Sequence, residues 1–365
     1  MNGPAITASA IKCGYVQAAQ RRMQGLRTAM FERVEEPTAI ELEEALGESV
    51  QKCELWKQNW RNRIYRVELA DRAALVAKQA LVGTEATTRC QFDQLRVLAD
   101  LQIPRMRVPK GLAILPTKRI FVMEFQRGET IEDLLWGRRD ELLTACNLAG
   151  TILAQIHLAW SHDVVSMPVD AIACDLAASP WRLSSRERTI LESVLERLVG
   201  TRVNFGTVYY DYKAANLLFD DGDLRLIDPP DTPDTIRQGV QLWDFSRFRS
   251  SMRRHLWNCT LRRPFIRWRP IVIRALAAFE RGYCENCSGS NPESNLFAMA
   301  VRLFELQRTA VLMSMQEAKL SMAREKVPIM RDHSLRNDLR ERMTMRLLEI
   351  EKRWLFRQLA HELPM

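Results

Sequence analysis

The stretch VYYDYKAANLLFDDGDLRLIDPPD, residues 208–231, constrains this chain more than any other. Its apolar runs read as buried strands, yet Asp211, Asn216 and Asp228 interrupt them on a short polar loop and a turn. A carboxylate beside buried strands is costly unless something pairs with it. A bound cation, or a proton to be moved, is a reason to keep two acids and an amide there. Taken singly, each acid reads equally well as a turn residue or helix cap, and that is the reading for Asp221 and Asp223 in DDGD.

At 365 residues the chain has material for two domains, or for one two-lobed unit with a sizeable core. Its apolar and charged fractions, 47% and 27%, place it among ordinary globular proteins. No apolar run is expected to span a bilayer, since even IVIRALAAF carries an arginine. The start, MNGPAITASAIKCGY, lacks the cationic and apolar regions of a secretory signal, so cytoplasmic residence is the expectation. Eight cysteines do not make a disulfide framework in a chain of this size. Cys284 and Cys287 in CENC have CxxC spacing without a second pair, and read as ordinary thiols. His157 and His162 read as packed structural residues rather than metal ligands.

The net charge of +8 is concentrated. Residues 247–274, RFRSSMRRHLWNCTLRRPFIRWRPIVIR, hold nine arginines and no acid, which accounts for the whole excess.

Residues 1–50 read as a charged helical extension, with AIELEEALGESV an amphipathic candidate. RIYRVELA alternates polar and apolar residues, and ALVAKQAL is an apolar run with one lysine inside it. An ADR turn between them makes a β-hairpin the natural reading. EATTRCQFDQLRVLADL then predicts a helix, GLAILP and RIFVMEF predict strands, and most of the remainder predicts helices. The expected fold is α+β and bilobal: a small β-rich N-lobe over residues 51–125 and a large, mostly helical C-lobe over 126–365 that ends in a helical extension. A linker near residues 124–129 joins them. Two lobes on one linker make a cleft, and clefts bind ligands.

Phosphoryl transfer needs little covalent help from a protein, but it needs positioned charge. The parts occur here in a workable order. Lys78 is the lone charge in an apolar strand, Asp211 and Asn216 share one loop five residues apart, and Asp228 ends the strand LRLID. A lysine snorkelling from an edge strand is the bland alternative for Lys78.

In this order the sequence resembles the protein-kinase-like fold, and within it the aminoglycoside phosphotransferase and choline kinase group. LVAKQ resembles the strand that carries a phosphate-binding lysine, and VMEFQRGETIEDLL resembles the hinge and first large-lobe helix. YYDYKAANLLF fits the catalytic loop D-x-x-x-x-N, and LRLIDPP fits the strand ending in a metal-binding aspartate. LWDFSRF resembles the helix start where an aspartate braces the catalytic loop, and AFERGY resembles a late-helix motif. The resemblance covers roughly residues 60–285. It implies ATP and Mg2+ as cofactors, Asp211 as catalytic base, Lys213 against the transferred phosphate, Asn216 and Asp228 as metal ligands, and Lys78 as phosphate anchor. Main-chain groups of Glu124, Phe125 and Gln126 would read adenine, and Asp244 would be structural.

Four departures stand out. The loop LWKQNWRN before RIYRVEL has no glycine to cradle phosphates. Tyr209 holds the place of the catalytic-loop histidine. Gln91 stands where a glutamate partner for Lys78 is expected, and Pro229 and Pro230 replace Phe-Gly after the metal aspartate.

Only fifteen residues separate Asp228 from Asp244, and no A-P-E motif follows, so a peptide shelf has little room. The expected reaction is phosphorylation of a hydroxyl on a small-molecule or lipid-linked acceptor. The arginines of 247–274, with Trp257, Phe265 and Trp268 among them, favour an anionic acceptor or an anionic membrane surface over nucleic acid. A solvated basic helix face is the bland alternative. An atypical serine/threonine protein kinase and a nucleotide-binding pseudokinase remain alternatives.

Overall fold

Threonine caps with helix-favouring residues behind them, and β-branched runs broken by turns, divide the chain into the elements seen in a computed structural model. The structure describes residues 34–59, 61–70, 74–232, 237–264, 266–287, 294–324 and 335–363. Helix α1 (Ala39–Leu46) starts at a capping box in which Thr38 and Glu41 satisfy each other's backbone, and it stops at Gly47 with φ of +70°. Strands β1 (Val50–Gln58), β2 (Asn62–Leu69) and β3 (Leu75–Ala80) follow, then α2 (Glu85–Asp100), capped by Thr84. Next come β4 (Met106–Arg107), β5 (Gly111–Leu115) and β6 (Ile120–Glu124).

Five of these strands form one antiparallel sheet in the order β1-β2-β3-β6-β5. The expected hairpin is present, with Ile64 opposite Lys78. One face of the sheet buries Tyr65, Val67, Ala77 and Val122 against Leu42 of α1. The expected N-terminal extension, residues 1–50, therefore lies mostly outside the described residues, and its described helix packs into this lobe. Strand β1 corrects the expected loop at LWKQNWRN, because the strand runs through Gln58. Only Val50 in it is buried, so its sequence carries no alternation to betray an edge strand.

The large lobe begins with β7 (Glu129–Thr130), α3 (Ile131–Leu134), α4 (Arg139–Trp160), β8 (Ser161–Ser166), α5 (Val169–Ala177) and α6 (Ser185–Leu198). Strand β9 (Arg202–Thr207) leads to a 3-10 turn at Ala214–Asn216 and the hairpin β10 (Leu217–Asp220) and β11 (Asp223–Leu226). After β12 (Gln238–Val240) come α7 (Leu242–Arg262), α8 (Trp268–Asn286), α9 (Ser294–Arg324) and α10 (Leu335–Glu362). Two small sheets, β4-β11-β10-β7 and β12-β9-β8, carry the polar loop between them.

Helix α4 corrects one expectation, because it is long and apolar enough to cross a membrane by composition. It is instead the core helix of this lobe, with Leu142, Ala149, Ile152, Leu153 and Ile156 buried. It meets α8 backbone to backbone through two glycines. A Cβ on Gly150 would lie 2.0 Å from the Phe279 carbonyl oxygen, and one on Gly282 would lie 2.1 Å from that of Asn147. Gly150→Ala is therefore expected to force the helices apart and cost about 1–3 kcal/mol. Thermal melting checks this, and an unchanged transition would show that the contact yields freely.

Arg237 ties the lobes together. Its buried guanidinium donates to the Val208 carbonyl at 2.6 Å and to Gln94 Oε1 on α2 at 2.8 Å.

Candidate active site

Tyr210, the residue before Asp211, has φ of +77°. A left-handed backbone costs a non-glycine residue of order 1–3 kcal/mol and persists only where its surroundings impose it. Asp244, fully buried in the first turn of α7, does so. Its Oδ1 accepts from Tyr210 N at 2.6 Å and its Oδ2 accepts from Tyr209 N. The Tyr210 ring also lies against Trp243, with centroids 6.1 Å apart. Asp244 thus braces the loop, the structural role expected of it. His157 completes the brace, with Nε2 3.3 Å from Asp244 Oδ2 and Nδ1 2.8 Å from the Tyr283 hydroxyl. It is a packed residue, as its sequence context indicated.

The loop so held brings the predicted polar residues together. Asn216 Nδ2 donates to the Asp211 carbonyl at 3.1 Å, and lies 3.3 Å from both Asp211 Oδ2 and Asp228 Oδ2. From the other lobe, Lys78 on β3 reaches across to pair with Asp228 Oδ1. Its side chain is only 5% exposed, so the bland reading of a lysine snorkelling to solvent does not hold. Tyr209, in the place of the expected histidine, donates its hydroxyl to the Asp228 carbonyl at 3.0 Å. Burial first, then the charges of Asp228 and Asp211, pushes this phenol well above its ordinary pKa, which keeps it a donor. Gln91 does not serve Lys78: its Nε2 donates to the Pro229 carbonyl at 3.2 Å. Asp228 is the lysine's partner instead.

Two cations hold Asp211. Lys213 Nζ is 2.6 Å from Oδ2, and Arg247 donates from Nε to Oδ1 at 3.1 Å and again from its terminal nitrogen. Burial alone would raise this carboxyl, but the charges of Arg247 and Lys213 outweigh it and hold the pKa well below the usual carboxylate range. The group is a carboxylate at any ordinary pH. It can orient a hydroxyl strongly while accepting a proton weakly, which suits a reaction whose transition state asks little of a base. Arg247 was not singled out in the sequence. Its only signal was membership of the run of nine arginines.

The linker residues make contacts with both lobes. Glu124 ends β6, its N–H donating to the Lys110 carbonyl at 3.0 Å and its Oε2 accepting from Lys110 N at 3.1 Å. Phe125 lies 5.9 Å, centroid to centroid, from Trp56 on β1, and Gln126 Oε1 accepts from Arg225 at 3.2 Å. Trp56 is 61% exposed and was missed because the strand carrying it was missed. The turn expected to lack a phosphate cradle is short. Asn59 Oδ1 closes it by accepting from Arg61 N at 2.8 Å and Asn62 N at 2.9 Å.

Residues 52–279 match the phosphotransferase enzyme family, which is more than half of the chain. The chain belongs to that family. Among solved structures it is similar to a protein described as an aminoglycoside phosphotransferase from Ralstonia eutropha, with 12% identity, a TM-score of 0.56, and coverage of 94% of this chain and 99% of that one. It is also similar to a glucosamine kinase in complex with glucosamine, ADP and inorganic phosphate, with 17% identity, a TM-score of 0.50, and coverage of 87% and 89%. At these identities the likeness establishes the bilobal kinase-like fold. Comparison with curated protein sequences finds no match.

In this phosphotransferase the arginine-rich segment is not one basic face, which corrects the sequence expectation. On α7, Arg249 and Arg253 pair with the fully buried Glu305 of α9 at 2.9 and 2.6 Å, and Arg249 also reaches Glu280. Arg253 and Arg254 pair with the buried Glu351 of α10 at 3.5 and 2.9 Å. Arg262, Arg263, Arg267, Arg269 and Arg274 are exposed. Trp268 is buried, packed edge-on against Trp136 at 5.0 Å, and so presents no ring to a bilayer. Phe265 lies outside the described residues. A groove of about 400 Å³ opens where α7 gives way to α8, lined by Leu256, Trp257, Ile266 and Arg267 among others, and Asp211 and Asp228 are not part of its lining.

Proposed function

We propose that the protein transfers the γ-phosphoryl group of ATP, with Mg2+, to a hydroxyl of a small, anionic acceptor. One observation carries this reading: Asn216 Nδ2 bridges Asp211 and Asp228 while Lys78 meets Asp228 from the opposite lobe. Asn216 and Asp228 offer the hard oxygen donors that magnesium takes alongside substrate phosphates. Bound there, the ion would neutralise charge on the phosphate oxygens. Asp211 orients the acceptor hydroxyl and takes its proton as the hydroxyl oxygen bonds to the γ-phosphorus and the bond from that phosphorus to the β–γ bridging oxygen breaks, releasing ADP. Lys213, beside Asp211, faces the transferred group, and Lys78 anchors the remaining phosphates. Main-chain groups at Glu124, Phe125 and Gln126 read the adenine ring, with Phe125 and Trp56 forming an aromatic wall. A cytoplasmic location, where ATP is supplied, belongs to this proposal. A lipid-linked acceptor and an anionic membrane surface have no comparable support, and the burial of Trp268 stands against the latter.

The test joins binding to turnover. Mg-ATP at a hundredfold excess over its dissociation constant is expected to add about 2.7 kcal/mol of stability, most of it lost in Asp228→Asn. Release of ADP should then depend on an added hydroxyl compound from a panel of neutral, cationic and acidic sugars. A melting curve indifferent to millimolar Mg-ATP overturns the nucleotide site. Binding without turnover on any acceptor favours a pseudokinase, and labelling of generic proteins favours a protein kinase.

A further inference from the structure

The two carboxylate oxygens of Asp211 mark two sides of the site. Oδ2 faces Asn216 and Lys213, whereas Oδ1 faces Arg247 and, behind it, helices α7 and α9. On this second side Arg247, Ser251 and Arg254 share one face of α7, and Ser251 Oγ accepts from the Ala214 N–H of the catalytic loop at 3.3 Å. Arg308 of α9 joins them. It is only 8% exposed, its guanidinium stands 5.7 Å from the Trp243 ring, and Trp243 in turn packs on Tyr210, the residue before Asp211.

Arg308 lacks what the other buried arginines of this region have. Its Nε has no hydrogen-bond partner, and no carboxylate pairs with it among the described residues. One terminal nitrogen of Arg254 is likewise buried and unpartnered. Burial, followed by the charges of Arg247 and Arg254, pushes the Arg308 pKa well below its ordinary value, yet an arginine does not give up its proton in a protein. The charge therefore stays, at a cost. Glu280, Glu305 and Glu351 pair with Arg249, Arg253 and Arg254, while the charges felt most by Arg308 are those of Arg247 and Arg254, with Asp211 acting on it more weakly in the opposite sense.

We propose that Arg308, with Arg254, forms a subsite for an acidic group of the acceptor, a carboxylate or a phosphate, that seats the acceptor hydroxyl against Asp211. Planar, forked donors suit either anion. The proposal rests on the phosphotransferase reading above and narrows its acceptor class. It accounts for a buried guanidinium that no carboxylate pairs with among the described residues.

The test uses the full chain saturated with Mg-AMP-PNP, so that every nucleotide phosphate position is filled, and titrates it calorimetrically with inorganic phosphate and, separately, malonate. Binding of at least one is expected, and which one binds identifies the acidic group. Arg308→Met should weaken it roughly ten- to hundredfold, with Arg308→Lys in between. Arg308→Met should also raise the melting temperature by about 2 °C or more, because it removes an unpaired buried charge. A residue that only packs on Trp243 would do the reverse, losing stability while leaving anion binding untouched. That result overturns the subsite, as does a wild-type protein that binds neither anion. Failure to bind Mg-AMP-PNP would instead strike the nucleotide site, and the same titrations without nucleotide would still decide the subsite.

Discussion

Asp211→Asn is expected to bind Mg-ATP nearly as the wild type does and to lose roughly 10²–10⁴-fold in turnover. In the proposed reaction Asp211, held by Lys213 and Arg247, would touch the acceptor hydroxyl, whereas Lys78, Asn216 and Asp228 would hold the nucleotide and its metal ion. The amide keeps the shape of the carboxylate but neither its charge nor its ability to take a proton. Calorimetric titration of Mg-ATP and an ADP-release assay with an accepted substrate measure the two halves separately. Wild-type turnover in the variant would remove Asp211 from the reaction. An equal loss of nucleotide affinity would mean that the variant disturbed the Asn216 bridge rather than the chemistry.

Glu305→Ala is expected to have the largest effect on stability. The carboxylate is fully buried between Arg249 and Arg253, and removing it leaves these two core guanidinium groups with only Glu280 and Glu351 respectively. Breaking a buried pair in this way costs about 3–5 kcal/mol, which lowers the melting temperature by on the order of 10 °C. The loss should depend on pH in a definite direction. Burial would raise the Glu305 pKa, but the charges of Arg253 and Arg249 outweigh it and lower it from 4.5 to about 2. A carboxyl depressed on folding contributes stability that is fully present above its unfolded pKa and is lost as pH falls through the folded one. The gap between wild type and variant should therefore be constant above about pH 4.5 and narrow as pH falls towards 2. Melts of both proteins across that range check it. A gap that persists undiminished at the acid end would show that packing, not charge, is what Glu305 supplies.

The clustered polar residues of the candidate site were legible because each sits in a short local pattern. Lys78 is the one charge in an apolar strand, and Asp211, Asn216 and Asp228 fall on a loop and a strand end at workable spacing. Local patterns survive folding, since the φ/ψ preferences and side-chain alternation that create them act within a few residues. The same holds for the β2–β3 hairpin, for the amphipathic α1, and for Asp244 at the head of α7. Strand β1 escaped because only Val50 in it is buried, and an edge strand bathed on both faces leaves no alternation to read.

The arginine-rich segment divides the two kinds of knowledge most clearly. Its charge, its helical character and its place after Asp244 were all visible in the residues. Which of its arginines face water was not. Arg247 turns to Asp211, Arg249 and Arg253 turn to Glu305, and Arg254 turns to Glu351, partners lying 36 to 97 residues away. Their direction follows from which face of α7 meets the catalytic loop, α9 and α10, and helix-on-helix packing is decided by the whole core rather than by neighbours in the chain. A run of like charges states how much countercharge a fold must bring to it. Only the tertiary structure decides where that countercharge comes from, and that the buried guanidinium of Arg308, on α9 beside the run, has no paired carboxylate among the described residues.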